Sequence, residues 1–329
     1  MPDLPIYVRH ERRALLRAAV FGTRGREAGP ASANSVLTGV VTGVSEHSLA
    51  VHGEAGEQVI SLTQGTVTWL GARATPSALR PGDRVIIRHR PWRMGAGSHA
   101  PAVAERIWAR IGRVTGTIVA AEGRAEHEFL VDTGLPGRAL ERVVVAGASL
   151  KQIQVRFPRL SAGYLIDVIG TRHQGYLLAV APATAQPPYR AGHRPAPPLI
   201  SGRLADPVSG TAVWHESGDE PAGLLGLAYP ALDPETDGLS DGRAQDQACV
   251  RLPYLSLGST VRVRNECTDR ALVLPVTSRG VTARQFCDRC VECGTSPRGR
   301  VADLTMAAFV ELGGNLEDGC FNATVALAH

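Results

Sequence analysis

The chain reads as an all-β protein assembled from small barrels, and three observations predict this. Glycine (36 residues) and proline (22) are plentiful while aromatic residues make up only 5%, a composition that favours many turns and short strands over long helices. From Val36 the apolar residues come in short alternating runs, such as LTGVVTGV, SLAVHG and DRVIIRHR, separated by Gly, Pro and Ser. That is the period of strands buried on one face. The pattern also recurs: LTGVVTGVSE (37–46) parallels VTGTIVAAEG (114–123), and RPGDRVIIRHR (80–90) parallels SAGYLIDVIGTR (161–172).

Bulk properties narrow the function classes. A length of 329 residues corresponds to about two or three domains. With 44% apolar and 20% charged residues, a packed core is expected and wholesale disorder is not. No apolar run approaches the roughly 18 residues of a membrane helix, so an integral membrane protein is not expected. Of the 35 basic residues only Lys151 is lysine, and the net charge is +4. So mild an excess does not imply a nucleic-acid partner.

Residues 1–35 read as a leader. Arg12 and Arg13 precede leucines and alanines, as in a twin-arginine export signal. Arg17 and Arg24 interrupt the apolar stretch, so a short basic amphipathic helix is the competing reading. Residues 36–100 form a first barrel, in which Pro81-Gly82 turns the chain into the β-branched run RVIIR. PAVAERIWARIG (101–112) is expected to form one short helix. Residues 112–182 form the second barrel, offset by 77 residues at Gly39/Gly116 and by 81 at Gly82/Gly163. His47, His52, His89 and His127 have no metal-ligand spacing and read as surface imidazoles. Residues 183–200 are a linker. With Pro182, the stretch to Pro198 holds six prolines, and a semi-rigid spacer of this kind predicts two pieces that fold separately.

Residues 201–329 form a third domain, which carries all six cysteines: Cys249, Cys267, Cys287, Cys290, Cys293 and Cys320. Three of them cluster as C-x2-C-x2-C and three stand alone. Matching numbers favour three disulfides, and persistent disulfides imply an oxidising compartment. Zinc held by the cluster is the alternative. The strands are GTAVWH (210–215), YLSLGSTVRVRN (254–265), ALVLPVTSRG (271–280) and GCFNATVAL (319–327). Within GRVADLTMAAFVELG (299–313), Leu304, Ala307, Ala308 and Leu312 fall on one helical face, with Thr305 or Asp303 as the cap. Asp233, Glu235, Asp237 and Asp241 resemble half a calcium loop, but Ala244 stands where the closing glutamate belongs. A solvated acidic loop is the reading preferred, and no resident metal or cofactor is expected.

Two resemblances follow from these motifs. The first two units, with their Gly-centred first strand, a middle LTQGTVTW strand and then LRPGDRV, resemble the OB-like barrels of bacterial envelope proteins. OB barrels often bind nucleic acid or sugar through stacked aromatics, and these strands offer few (Trp69, Phe129, Tyr164, Tyr176). In the third domain GTAVWH, LSLGSTVRVRN, LPVTSRG and VADLTMAAFVELG occur in the order and spacing of the double-psi β-barrel shared by the rare lipoprotein A family and the expansins. The fold implied is two tandem OB-like barrels followed by a six-stranded double-psi barrel with a short helix.

That resemblance also carries a functional expectation. It implies a groove on the last domain built around Trp214, Tyr254, Ser278, Arg279 and Asp303, which binds a cell-wall polysaccharide, most plausibly peptidoglycan. Relatives that cleave glycan strands use a carboxylate at the position of Asp303 as general acid. Their second aspartate falls at Ser278, their histidine near Leu252, and Val213 replaces an expansin groove threonine. With one carboxylate of two and no imidazole in sequence reach, the arrangement for glycosidic cleavage is incomplete. The expectation is a secreted or envelope-associated, non-hydrolytic, expansin-like binding protein. A lytic transglycosylase or hydrolase using Asp303 is the alternative, and a zinc-stabilised cytosolic interaction protein the second alternative.

Overall fold

A computed structural model of the chain describes residues 35–90, 102–122, 127–134, 139–184, 207–216, 223–232, 252–280 and 299–328. Most of the leader, the proline-rich linker, the acidic loop and the cysteine cluster lie outside these residues. The described residues are predominantly β and fold into three small barrels, which belong to one compact unit spanning Asn34–His329.

The first barrel comprises β1 (Ser35–Val44), β2 (Ser48–Gly53), β3 (Gly56–Ser61), β4 (Val67–Trp69), β5 (Arg73–Ala74), β6 (Arg84–Arg90) and β7 (Val103–Ala109). Its sheet runs β3-β2-β1-β6-β7-β4-β5 and closes where Ser61 of β3 meets Val103 of β7. The expected helix at 101–112 is therefore wrong: β7 pairs antiparallel with β6 and parallel with β4. The strand is apolar on both faces because both are covered. Ile107 enters the first core, and Trp108 turns outward to join the core of the third barrel. A run buried on two sides loses the alternation that marks a strand.

The second barrel comprises β8 (Ile111–Glu122), β9 (His127–Asp132), β10 (Glu141–Val145), helix α1 (Gly147–Arg156), β11 (Leu165–His173) and β12 (Tyr176–Pro182). The strands close in the order β10-β12-β11-β8-β9, and α1 packs against β12. The sequence repeat has a physical cause. A Cβ on Gly39 would lie 2.4 Å from His52 O, and one on Gly116 would lie 2.1 Å from Asp132 O, so both first strands need glycine to bend against their neighbours. Further along, Val41 exchanges backbone hydrogen bonds with Gly82 and Asp83, and Ile118 does the same with Gly163 and Tyr164. Gly82 and Gly163 both have positive φ (94° and 86°).

The third barrel comprises β13 (Val208–His215), β14 (Leu227–Tyr229), β15 (Thr260–Asn265), β16 (Ala271–Arg279), β17 (Arg300–Thr305), helix α2 (Met306–Glu311) and β18 (Cys320–Leu327). It closes in the order β13-β17-β14-β16-β15-β18, with β13 parallel to β17 and β14 parallel to β16. Residues 300–305 are strand, not the start of a helix, and Leu304 faces the barrel core. Thr305 is the cap of α2, accepting the Ala308 N–H at 3.4 Å.

The barrels meet along two polar seams. Between the second and third, Asp167 on β11 is fully buried and accepts from Arg113 on β8 (2.6 and 2.8 Å) and from Arg300 on β17. Arg113 also donates to Trp214 O (3.0 Å) and Gly319 O (2.6 Å) in the third barrel. Between the first and third, Glu317 accepts from Arg106 and from the Trp108 indole, and Arg88 donates to Asn315 Oδ1 at 3.1 Å. No helix among the described residues is long and apolar enough to cross a membrane.

Candidate functional site

The face of the third barrel that carries Asp303 is built by strand parity. On β17, Ala302 and Leu304 point into the core, and on β13 Ala212 and Trp214 do the same. Asp303, Val213 and His215 therefore share the outer face. Parallel pairing sets Val213 opposite Asp303 and His215 opposite Thr305. This brings His215 Nδ1 to 3.1 Å from Asp303 Oδ1. The imidazole is 22% exposed and the carboxylate 6%.

Two expectations change here. Asp303 is not a helix cap, since it sits inside β17 and Thr305 takes that part. An imidazole does stand beside it, not from the segment near Leu252 but from β13, 88 positions away in sequence. His215 was visible at the end of GTAVWH, but only the parallel β13–β17 pairing reveals its neighbour.

Burial alone would push the Asp303 carboxyl up. The charge and hydrogen bond of His215, with the guanidinium groups of Arg300 and Arg113, outweigh burial and hold it below its ordinary value. The group is thus an ionised carboxylate at neutral pH. A general acid must instead be protonated when it meets the leaving oxygen.

Ser278 lies on the same row of the sheet. Ala228 pairs with Asp303 on one side and with Ser278 on the other. With strands about 4.8 Å apart, Ser278 is about 10 Å from Asp303 across β14, whereas His215 lies on the opposite side of β17. Serine, histidine and aspartate therefore do not form a relay, because the carboxylate sits between the other two.

The remaining expected site residues divide. Trp214 is 1% exposed, buried in the core, with its indole donating to Leu316 O at 2.9 Å and Arg113 stacked 5.5 Å over its ring. It lines no open groove. Tyr254 is 46% exposed. It follows Pro253, whose carbonyl accepts from the Tyr229 hydroxyl at 3.0 Å, and precedes Leu255, whose N–H donates to Ala231 O. Arg279 pairs with Tyr229, and Gly280 donates to its carbonyl. Ser278 and Arg279 thus lie on the strand beside β14, and Tyr254 lies in a segment whose neighbouring residues bond to Tyr229 and Ala231.

Cys320 is buried beside Val213. Cys267 lies in the β15–β16 turn, its N–H donating to Asn265 Oδ1. Cys249, Cys287, Cys290 and Cys293 lie outside the described residues, as do Asp233, Glu235, Asp237 and Asp241. Among the described residues no group of three or more His, Cys, Asp or Glu side chains could hold a metal ion. Of the four histidines read as surface groups, His89 is half-buried, and burial lowers its pKa. No family model matches the chain, and no curated protein matches it in sequence.

Proposed function

We propose that the chain is a non-hydrolytic, carbohydrate-binding protein of the cell envelope or extracellular space. Its third barrel contacts a cell-wall polysaccharide such as peptidoglycan through Tyr254, Ser278 and Arg279. The observation that carries the non-hydrolytic reading is the state of Asp303: a buried, ionised carboxylate engaged by His215 and two arginines has no proton to give a leaving group. Sugar binding draws support from Tyr254, which is 46% exposed and so offers a ring face of the kind that suits a pyranose.

In the same reading the third barrel is double-psi and the first two are OB-like. Support for the former is a closed six-stranded barrel with two parallel pairs, β13–β17 and β14–β16. Support for the latter is strongest in the second barrel, where the order β8-β9-β10-β12-β11 closes on β8, with α1 between β10 and β11.

Co-sedimentation with purified peptidoglycan tests the proposal. Wild type is expected in the pellet, and Tyr254→Ala is expected to weaken retention by about fivefold through loss of about 1 kcal/mol of aromatic contact. The supernatant should contain no released muropeptides. Soluble muropeptides that vanish in Asp303→Asn would establish the enzymatic alternative. Equal retention of Tyr254→Ala and wild type would remove Tyr254 from the site.

A further inference from the structure

We propose that the second barrel sets the proton affinity of the His215–Asp303 pair on the third, with Asp167, Arg113 and Arg172 as positioning residues that act across the seam. The geometry is a continuous chain of charges. Asp167, wholly enclosed, accepts from Arg113 Nε (2.8 Å) and Nη2 (2.6 Å), from Thr115 (2.8 Å), from Thr184 (2.9 Å) and from Arg300. Arg300 lies on β17, three residues before Asp303. Arg113 reaches into the third barrel as far as the carbonyl of Trp214, the residue before His215.

The residue after His215 closes the other side. Glu216 accepts from Arg172 at 2.7 Å and from the Arg113 N–H at 3.4 Å, and Arg172 also holds Glu141 at 2.7 Å. The charged groups linked to His215 by this network among the described residues are therefore Asp303 and Arg300 from β17, Glu216 just past the end of β13, and Arg113, Asp167, Arg172 and Glu141 from the second barrel. Four of these seven come from the second barrel. Arg113 and Asp167 are also almost fully enclosed, where charge is poorly screened.

Such an arrangement is reciprocal. If the docked second barrel shifts proton binding at His215, protonation of His215 shifts the docking equilibrium by the same free energy. The outer face of the third barrel would then respond to pH in a way that depends on whether the seam is closed.

Histidine titration by NMR in the full-length protein tests this, with the His215 signal assigned by its loss in His215→Gln. Arg172→Gln removes a cation and is expected to raise the His215 midpoint by about half a pH unit, and Arg113→Gln to raise it more. Asp167→Asn removes an anion and is expected to lower it. Arg142→Gln, at the exposed Glu128 pair of the second barrel, should leave it unmoved. A loosened structure would not move the midpoint in opposite directions according to the charge removed. Arg172 is about a quarter exposed, so its variant is the one that should fold regardless. If the buried variants do not fold, Arg172→Gln decides alone. An unchanged midpoint there, or shifts of one sign in all folded variants, overturns the proposal.

Discussion

Asp303 and Thr305 stand two residues apart on β17 and fail differently when removed. Thr305 caps α2, so Thr305→Ala should cost about 1 kcal/mol in a urea titration, and Thr305→Ser should recover it. Asp303→Ala strips a buried counter-ion from His215 and from the arginines behind it. Leaving such charge unpaired costs about 3–5 kcal/mol, so the larger loss belongs to the residue that does not cap. Acid should act through the same groups. Burial pushes both Asp167 and Asp303 up, but Arg113 and Arg300 on the first, and His215 with the same arginines on the second, hold both below the unfolded value of 3.8. Their contribution is fully present above that value and is lost as pH falls through the lower folded values, because the unfolded chain takes up the protons first. The urea midpoint of the native protein should therefore drop between about pH 5 and pH 3, and a flat profile there would contradict the ionised state of the pair. Asp303 was legible from its motif. Its environment was not, because the helical period in the sequence extends back to Leu304, two residues before α2 begins at Met306, and the imidazole arrives from a distant strand.

The repeat in the first two barrels was legible because it is a steric requirement written in glycine. Position matters more than composition, and two substitutions of the same kind should have opposite signs. Gly116→Ala places a Cβ 2.1 Å from a backbone oxygen of the neighbouring strand. Neither strand can yield without breaking the ladder, and a loss of about 3 kcal/mol or more is expected. Gly147→Ala opens α1, where a Cβ meets nothing within 4 Å, and should stabilise by up to about 1 kcal/mol by narrowing the unfolded ensemble. Parallel thermal melts of the two variants decide this, and a destabilised Gly147→Ala would mean that α1 begins elsewhere. The helix itself was missed in the sequence for a related reason. It buries only Ile153, and its N-cap residue, Ala146, supplies no side-chain cap, so neither periodicity nor a terminus signal marks it. The strand β7 was misread for the opposite reason, being apolar on both faces.

At the scale of the whole molecule, a proline-rich linker suggested independent modules, and the seams argue otherwise. Arg113, Asp167 and Arg300 carry no signature in a sequence, where a charged residue on a strand reads as solvent-facing. Their burial appears only when two barrels meet. The core of the third barrel likewise continues into Trp108 of the first and Ile169 of the second. A buried ion pair is weak evidence of stability while it is intact, yet separating its members leaves each charge enclosed without compensation. The seam between the second and third barrels should thus resist parting once formed. Introducing a protease site between residues 185 and 200 and cutting it in the folded protein tests this directly. The two fragments are expected to co-elute as one particle in gel filtration and to melt in one transition. Salt should have little effect, since enclosed pairs are screened far less than exposed ones. The fragment 201–329 made alone should fail to fold cooperatively, because Arg300 would lack Asp167 and the apolar surface that meets Trp108 and Ile169 would be open to water. Two separate peaks with independent transitions would show that the linker, and not the seam, defines the architecture.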